Sequence, residues 1–212
     1  MNLFDLYYED YENWFEKYPE IYEEELKTIK TLLPKGNGME VGVGSGRFAA
    51  PLGIKFGIEP SKKMAEIARK RGIEVIEMSA EEMDFEEEFD FILMVTTICF
   101  VKDPQKTINN CYKALKKDGY LLVAFVDKDS PLGKMYEKNK HRSKFYAPAT
   151  FFSKNDIINL MKKAGFNEFE CKENLYGKSL DNLRFEINDC NGGAFKVIRG
   201  KKCFSAEKTN RR

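Results

Sequence analysis

The sequence has a single histidine and a single tryptophan, and its five cysteines, at positions 99, 111, 171, 190 and 203, contain no C-x-x-C pair. Zinc sites and small disulfide scaffolds need regularly spaced ligands or bridges. Neither is indicated, and the thiols read as reduced and mostly structural. Charge of one sign is also missing: 35 basic against 34 acidic side chains leave a formal charge of +1. No global field therefore steers the chain toward nucleic acid or an anionic membrane. The longest apolar run, residues 91–101, is well short of the roughly 20 residues that span a bilayer. Met1-Asn2-Leu3-Phe4-Asp5 has neither the basic start nor the apolar stretch of a secretory signal. These absences describe a soluble cytoplasmic protein.

What is present is the composition of a packed domain. Hydrophobic residues make up 42% and aromatics 13% of 212 residues, enough for one sizeable core. The rest of the chain is arranged around Glu40-Val41-Gly42-Val43-Gly44-Ser45-Gly46. Gly36-Asn37-Gly38 breaks the chain before it, and Met39 to Val43 is a short β-compatible run. Arg47-Phe48-Ala49-Ala50 then offers a very short helix, expected to stop near Pro51. Gly42, Gly44 and Gly46 let backbone approach a ligand and take up positive φ. The dinucleotide fingerprint is G-x-G-x-x-G, whereas here the spacing is G-x-G-x-G with a carboxylate two residues ahead. Glu40 suits an ammonium better than a pyrophosphate, so the ligand is expected to carry an amino-acid portion.

A second strand-like segment, Ile54 to Ile58, ends in Glu59-Pro60-Ser61 and leads into a helical run to Arg71. An acid at the end of the second strand of a doubly wound unit is placed to hold two ribose hydroxyls. With Glu40, the three glycines and Glu59 in place, the sequence resembles the class I S-adenosylmethionine (SAM)-dependent methyltransferases, most closely their small-molecule, quinone-type branch. The resemblance covers residues 36–200 and implies a doubly wound α/β fold. Its seven-stranded, mostly parallel sheet would run in the order 3-2-1-4-5-7-6, with strand 7 antiparallel and helices on both faces. SAM is the implied cofactor and S-adenosylhomocysteine (SAH) its product.

The same resemblance supplies roles. Residues 1–35, read as two helices over 5–17 and 20–33, would form a lid that places Tyr11 beside the cofactor. Trp14 and Phe15 read as core. Met64 would lie on the adenine face. Ser79-Ala80-Glu81 stands where the family has an acid, Ala and Glu, so Ser79, Glu81 or the following Glu82 would meet the adenine amino group. Val95 and Thr96 end the central strand at the carboxyl edge of the sheet, where open α/β folds bind ligands. The cofactor-binding set is thus Tyr11, Glu40, Gly42, Gly44, Gly46, Glu59, Pro60, Met64, Ser79, Ala80, Glu81, Val95 and Thr96.

The acceptor half is less explicit. The insertion 128–150 is expected to cover the acceptor, with Tyr136, Phe145 and Tyr146 as walls and Cys99 and Phe100 making an apolar floor. Asp127, Tyr146 and His141 are the candidate bases, and none is singled out. The basic tail 201–212 is expected to fray, and it lacks the interleaved aromatics of a nucleic-acid arm. The expected partner is a small-molecule acceptor, with nucleic acid and membrane disfavoured. A non-catalytic SAM-binding module and an NAD-dependent oxidoreductase stand as alternatives.

Overall fold

The computed structural model describes residues 2–203. Three helices come first: α1 (Leu3–Leu6), α2 (Tyr8–Lys17) and α3 (Pro19–Lys30). Then follow β1 (Gly38–Val41), α4 (Ala49–Leu52), β2 (Phe56–Ile58), α5 (Lys62–Lys70), β3 (Glu74–Ile76) and β4 (Phe89–Val95). The second half holds α6 (Pro104–Ala114), β5 (Leu115–Val126), α7 (Pro131–Asn139), α8 (Lys154–Ala164), β6 (Phe166–Asn174), β7 (Asn188–Asp189) and β8 (Phe195–Lys202).

The strands form one sheet in the order β3-β2-β1-β4-β5-β8-β6-β7. The pairs from β3 to β5 are parallel, and β8 lies antiparallel between β5 and β6. The expected seven-stranded order is therefore present. An eighth, two-residue strand, β7, pairs with β6 at the edge, from within a segment that reads as irregular in sequence. Alternation along the central strands separates two cores. Phe91, Leu93 and Val95 face the side of α2, α3 and α5, together with Leu122 and Ala124. Ile92 and Met94 face the side of α6 and α8, with Leu121 and Val123.

Several local expectations are corrected. The N-terminal segment forms three helices rather than two, because Tyr7 leaves the helical region and separates α1 from α2. Pro51 does not stop the first helix after the glycine loop but is its third residue. An N–H in the first turn has no intrahelical acceptor, so proline costs nothing there, and left-handed Gly53 ends the helix. Residues 116–119 lie within β5 as an irregularity, with Asp118 at φ 61°. Cys171 and Cys190 are disulfide-bonded, joining β6 to the residue after β7, while Cys99, Cys111 and Cys203 are free. Spacing alone could not show that pair, since only the antiparallel edge brings the two residues together. Lys201 and Lys202 lie in β8, paired to β5 and β6, Cys203 follows them, and residues 204–212 of the expected tail fall outside the described residues.

The edge sheet buries an ion pair. Lys196 of β8 contacts Glu173 of β6 and stands 3.7 Å from Asp127, all three almost fully buried. Burial works to raise the Glu173 carboxyl, but Lys196 and the N–H groups of Gly193, Asn191 and Gly192 outweigh it and hold it down at about 2. Its contribution to stability is complete above its unfolded value near ~4.3 and is lost as pH falls toward about 2. Lys196→Met should cost about 3–5 kcal/mol in urea unfolding at neutral pH, because it strands buried carboxylates. The loss should shrink below about pH 4, as those acids take up protons. A variant as stable as the parent at pH 7 would show that the pair is not needed.

Candidate functional site

The site grows from the end of β1. The N–H groups of Gly42 and Val43 both donate to the Ile58 carbonyl, at 2.9 and 3.0 Å, which folds the loop over the end of β2. Gly42 has φ +67°, and a Cβ there would stand 2.4 Å from Thr97 Cγ2. Gly44 has φ +54°, and a Cβ there would enter the space between Tyr11 Oη, at 3.4 Å, and Met64 Cε, at 3.6 Å. At Gly42 a Cβ would collide, and at Gly44 the left-handed φ is what favours glycine.

Glu59 fastens this loop. One carboxylate oxygen accepts from Gly44 N at 2.9 Å, and the other accepts from Ser61 N at 2.8 Å. Ser61 Oγ in turn caps α5 by accepting from Met64 N. Burial raises the Glu59 carboxyl, the two backbone donors pull it back, and it settles at about 7. Glu40 is more deeply buried, and burial lifts its carboxyl well above the ordinary range against one backbone N–H from Ala49. Its Oε2 has no hydrogen-bond partner.

A cavity of about 680 Å³ opens along the carboxyl ends of β1 to β4. Eleven of the thirteen expected cofactor-binding residues line it: Tyr11, Gly42, Gly44, Glu59, Pro60, Met64, Ser79, Ala80, Glu81, Val95 and Thr96. Glu40 and Gly46 do not reach the wall. Glu40 lies behind the loop with its carboxylate at the first turn of α4, and a Cβ on Gly46 would meet Ile73 at 2.4 Å. Glu81 spends one oxygen on the N–H groups of Lys102 and Asp103. Ser79 donates its hydroxyl to Glu82, which also accepts from Ser79 N, so Ser79 and Glu82 form one polar unit at this end. Thr97 also lines the cavity, through the contact with Gly42 that only the folded loop creates. Thr96 holds φ +48°, a strained backbone for a β-branched residue.

The N-terminal helices cover this cavity and are pinned to the loop itself. Glu12 Oε2 accepts from Arg47 Nη2 at 2.8 Å and from Arg71 Nη2 at 2.6 Å, while Arg71 also donates to the Ser45 carbonyl. Asp5 accepts from Ser61 Oγ at 2.6 Å and from Lys63 N at 3.1 Å. Tyr22 donates to the Arg47 carbonyl. Charge alone does not announce these pairings, because every partner is distant in sequence.

Beyond the first cavity lies a second, of about 330 Å³. The two share Phe4, Tyr11, Thr96 and Phe100, which form the partition between them. Tyr136, Phe145 and Tyr146 are walls, as expected, and Tyr146 stacks on Phe100 and Tyr136. Trp14 and Phe15, read as core, line it too. Its floor includes Glu25 of α3, which sequence reasoning overlooked. The signal was there: Ile21, Glu25, Thr28 and Leu32 follow one helical stripe, and an acid stands among its buried positions. Of the candidate bases only Tyr146 lines this cavity, and burial raises its hydroxyl well above the ordinary value. His141 is exposed and lines neither cavity, and Asp127 is turned toward Lys196. Burial pushes the Cys99 thiol up to about 12, so it stays protonated.

Residues 13–170 match the profile of methyltransferase domains. The chain belongs to the methyltransferase-domain family. An uncharacterised protein of Methanocaldococcus jannaschii is 42% identical over 205 residues, spanning 95% of this chain and 100% of that protein. A crystallised SAM-dependent methyltransferase of Thermotoga maritima, named a possible histamine N-methyltransferase, is 50% identical, with a TM-score of 0.91 over 94% of this chain and 98% of that one. Phosphoethanolamine N-methyltransferase 2 of Caenorhabditis elegans is 29% identical over 164 residues, 68% of this chain but 36% of that protein. The fold is the class I methyltransferase fold, the cofactor is SAM and the protein is an enzyme of that kind. The first cavity fits such a group: its glycine cradle has no room for a Cβ at Gly42, and buried carboxylates at Glu40 and Glu59 suit a ligand bearing positive charge and hydroxyls. Among the described residues no helix is long and apolar enough to cross a membrane.

The pinning of α2 predicts a local effect. Glu12→Gln weakens two charge-assisted contacts and should lower the free energy of opening α2 by about 1–3 kcal/mol. Amide exchange across residues 8–17 should then accelerate at least about fivefold, with exchange in β4 and β5 unaltered. Equal protection of α2 in both proteins would show that Glu12 does not hold the lid.

Proposed function

We propose that this enzyme moves the methyl group of SAM onto a small molecule held in the second cavity. The observation that carries this reading is the pair of cavities divided only by Phe4, Tyr11, Thr96 and Phe100. One bears the glycine loop and Glu59; the other is walled by aromatic rings and suits a compact, largely apolar acceptor. The near-neutral charge of the chain argues against a nucleic-acid acceptor.

SAM brings a methyl group already activated on a sulfonium. The protein's share is binding, alignment and exclusion of water. We assign Glu59 to the ribose hydroxyls, through the lone pairs not used by Gly44 and Ser61, and Met64, Ser79, Ala80 and Pro60 to the adenosine end. The Gly42–Gly46 loop, with Glu40 behind it, takes the amino-acid end. Glu40 would act through field rather than contact, since it does not line the wall. Tyr11 and the helices carrying it close the site, and Thr96 stands at the partition where donor and acceptor meet. The relatives named for histamine and phosphoethanolamine make nitrogen acceptors a natural part of any screen. No observation favours a non-catalytic module, and family membership leaves the nicotinamide alternative without support.

Calorimetric titration with SAM, SAH and NAD tests the first half of the reading. Micromolar binding of SAM and SAH and none of NAD is expected; turnover is then sought with methyl-labelled SAM against small amines, phenols and thiols. NAD binding without SAM binding would overturn it. The assignment of Glu59 has its own test. Ribose hydroxyls donate to the ionised carboxylate, so binding should lower its pKa from about 7 and release a proton. SAH affinity should therefore rise by up to about tenfold between about pH 6 and about pH 7.5, and Glu59→Gln should flatten that rise. A pH profile identical in the two proteins would take Glu59 out of the binding site.

A further inference from the structure

The second cavity carries charge in only three places. Asp10 pairs with Lys144 at 2.8 Å near the surface, and Lys140, half-exposed, donates to the Ala149 carbonyl at 2.9 Å. Glu25 is the third. It is 6% exposed, and among the described residues its carboxylate has no hydrogen bond and no ion pair. Trp14, Phe15, Ile21, Tyr136 and Tyr146 line the same cavity.

A carboxyl group in such a place is held neutral by burial, here up to about 8, since no cation or donor of the protein opposes the loss of water. Structural acids in this same chain are treated otherwise: Glu173 has Lys196 and three backbone donors. Glu25 faces open volume instead, among rings whose faces attract positive charge. We propose that Glu25 selects the acceptor, its carboxylate binding the protonated nitrogen of an organic amine whose apolar body lies among the aromatic rings of the second cavity. The arriving cation supplies the missing counter-charge, and the carboxyl group ionises against it. A neutral alcohol or phenol of the same shape gains the apolar contact but neither the ion pair nor the ring–cation attraction. Glu25 is thus a specificity-determining residue: it orients the acceptor, and the atom methylated is a separate matter. The inference rests on the reading that this cavity takes the acceptor.

Trp14, the sole tryptophan, lines the cavity and reports on its occupancy by fluorescence. With SAH bound, 2-phenylethylamine and histamine are titrated against 2-phenylethanol, the neutral isostere of the first. The phenylethylamine should bind at least about 30-fold more tightly than the alcohol, as a charge-assisted contact in a dry site allows. Glu25→Gln should abolish that preference while leaving SAH affinity unchanged and the melting temperature no lower than the parent's. Glu25→Asp, which keeps the charge but withdraws it by one methylene, should retain part of it. Equal affinity for amine and alcohol, no binding of either amine, or an undiminished preference in Glu25→Gln each overturns the proposal. If the glutamine variant does not fold, the amine–alcohol comparison in the parent and the aspartate variant still decides. Failure of SAH to bind sinks the underlying reading and this proposal with it, whereas SAH binding without amine binding sinks this proposal alone.

Discussion

A single carboxylate holds the ligand end of this fold together. Glu59 accepts from Gly44 N with one oxygen and from Ser61 N with the other, so it joins the glycine loop to the entrance of α5. Each partner then sets something further. Gly44 can approach Tyr11 and Met64 only because the loop is drawn over the end of β2. Ser61, fixed by its N–H, has its hydroxyl in place to cap Met64 and to bond Asp5 of α1. The cradle, the helix behind it and the first helix above it thus share one anchor. Replacing that anchor disturbs all three, which is why a binding measurement on a Glu59 variant needs the pH profile to separate contact from architecture.

The placement of the N-terminal helices follows from a second set of contacts to the same loop. Arg47 lies one residue past Gly46 and Arg71 at the end of α5, and both converge on Glu12. Burial opposes ionisation of Glu12, but the two guanidiniums keep its pKa below the ordinary value. α2 is therefore tied to the very segment whose shape defines the first cavity. Its aromatic residues look the other way: Tyr11 sits on the partition, and Trp14 and Phe15 line the second cavity. This ten-residue helix thus contacts the glycine loop at one side and lines both chambers through Tyr11.

The cofactor half was legible in sequence because its geometry is local. A glycine loop and an acid at the next strand end are set by spacing along the chain, and the topology then needs only the handedness of βαβ crossovers. What sequence hid was non-local or compensated. Pro51 reads as a breaker until the first turn of a helix is counted, where its missing N–H is irrelevant. Cys171 and Cys190 meet only because β6 and β7 pair at the sheet edge. Trp14 and Phe15 obey the periodicity of a core stripe, and only the folded chain shows that the stripe borders a cavity. Glu25 is the instructive case: an acid at a buried stripe position looks like an exception to helix amphipathicity, and such exceptions tend to fall at functional sites.

The buried carboxylates bring the two halves together. Among the described residues Glu25, Glu40, Glu59, Asp127 and Glu173 are buried, and Lys196 is the only buried cation. It serves Glu173 and Asp127, on the sheet edge away from the cradle. The remaining three are left without a counter-charge, and burial raises each of them. All three lie on or just behind the walls of the two cavities. Isolated acids cost stability in proportion to their desolvation, so three in one region form a standing strain on the empty fold. SAM carries a sulfonium and an ammonium, and an amine acceptor carries a third positive charge. On the reading proposed above, the charge of SAM would face Glu40, ribose hydroxyls would donate to Glu59 and an amine acceptor would pair with Glu25, so binding would relieve the desolvation that raises all three carboxyls.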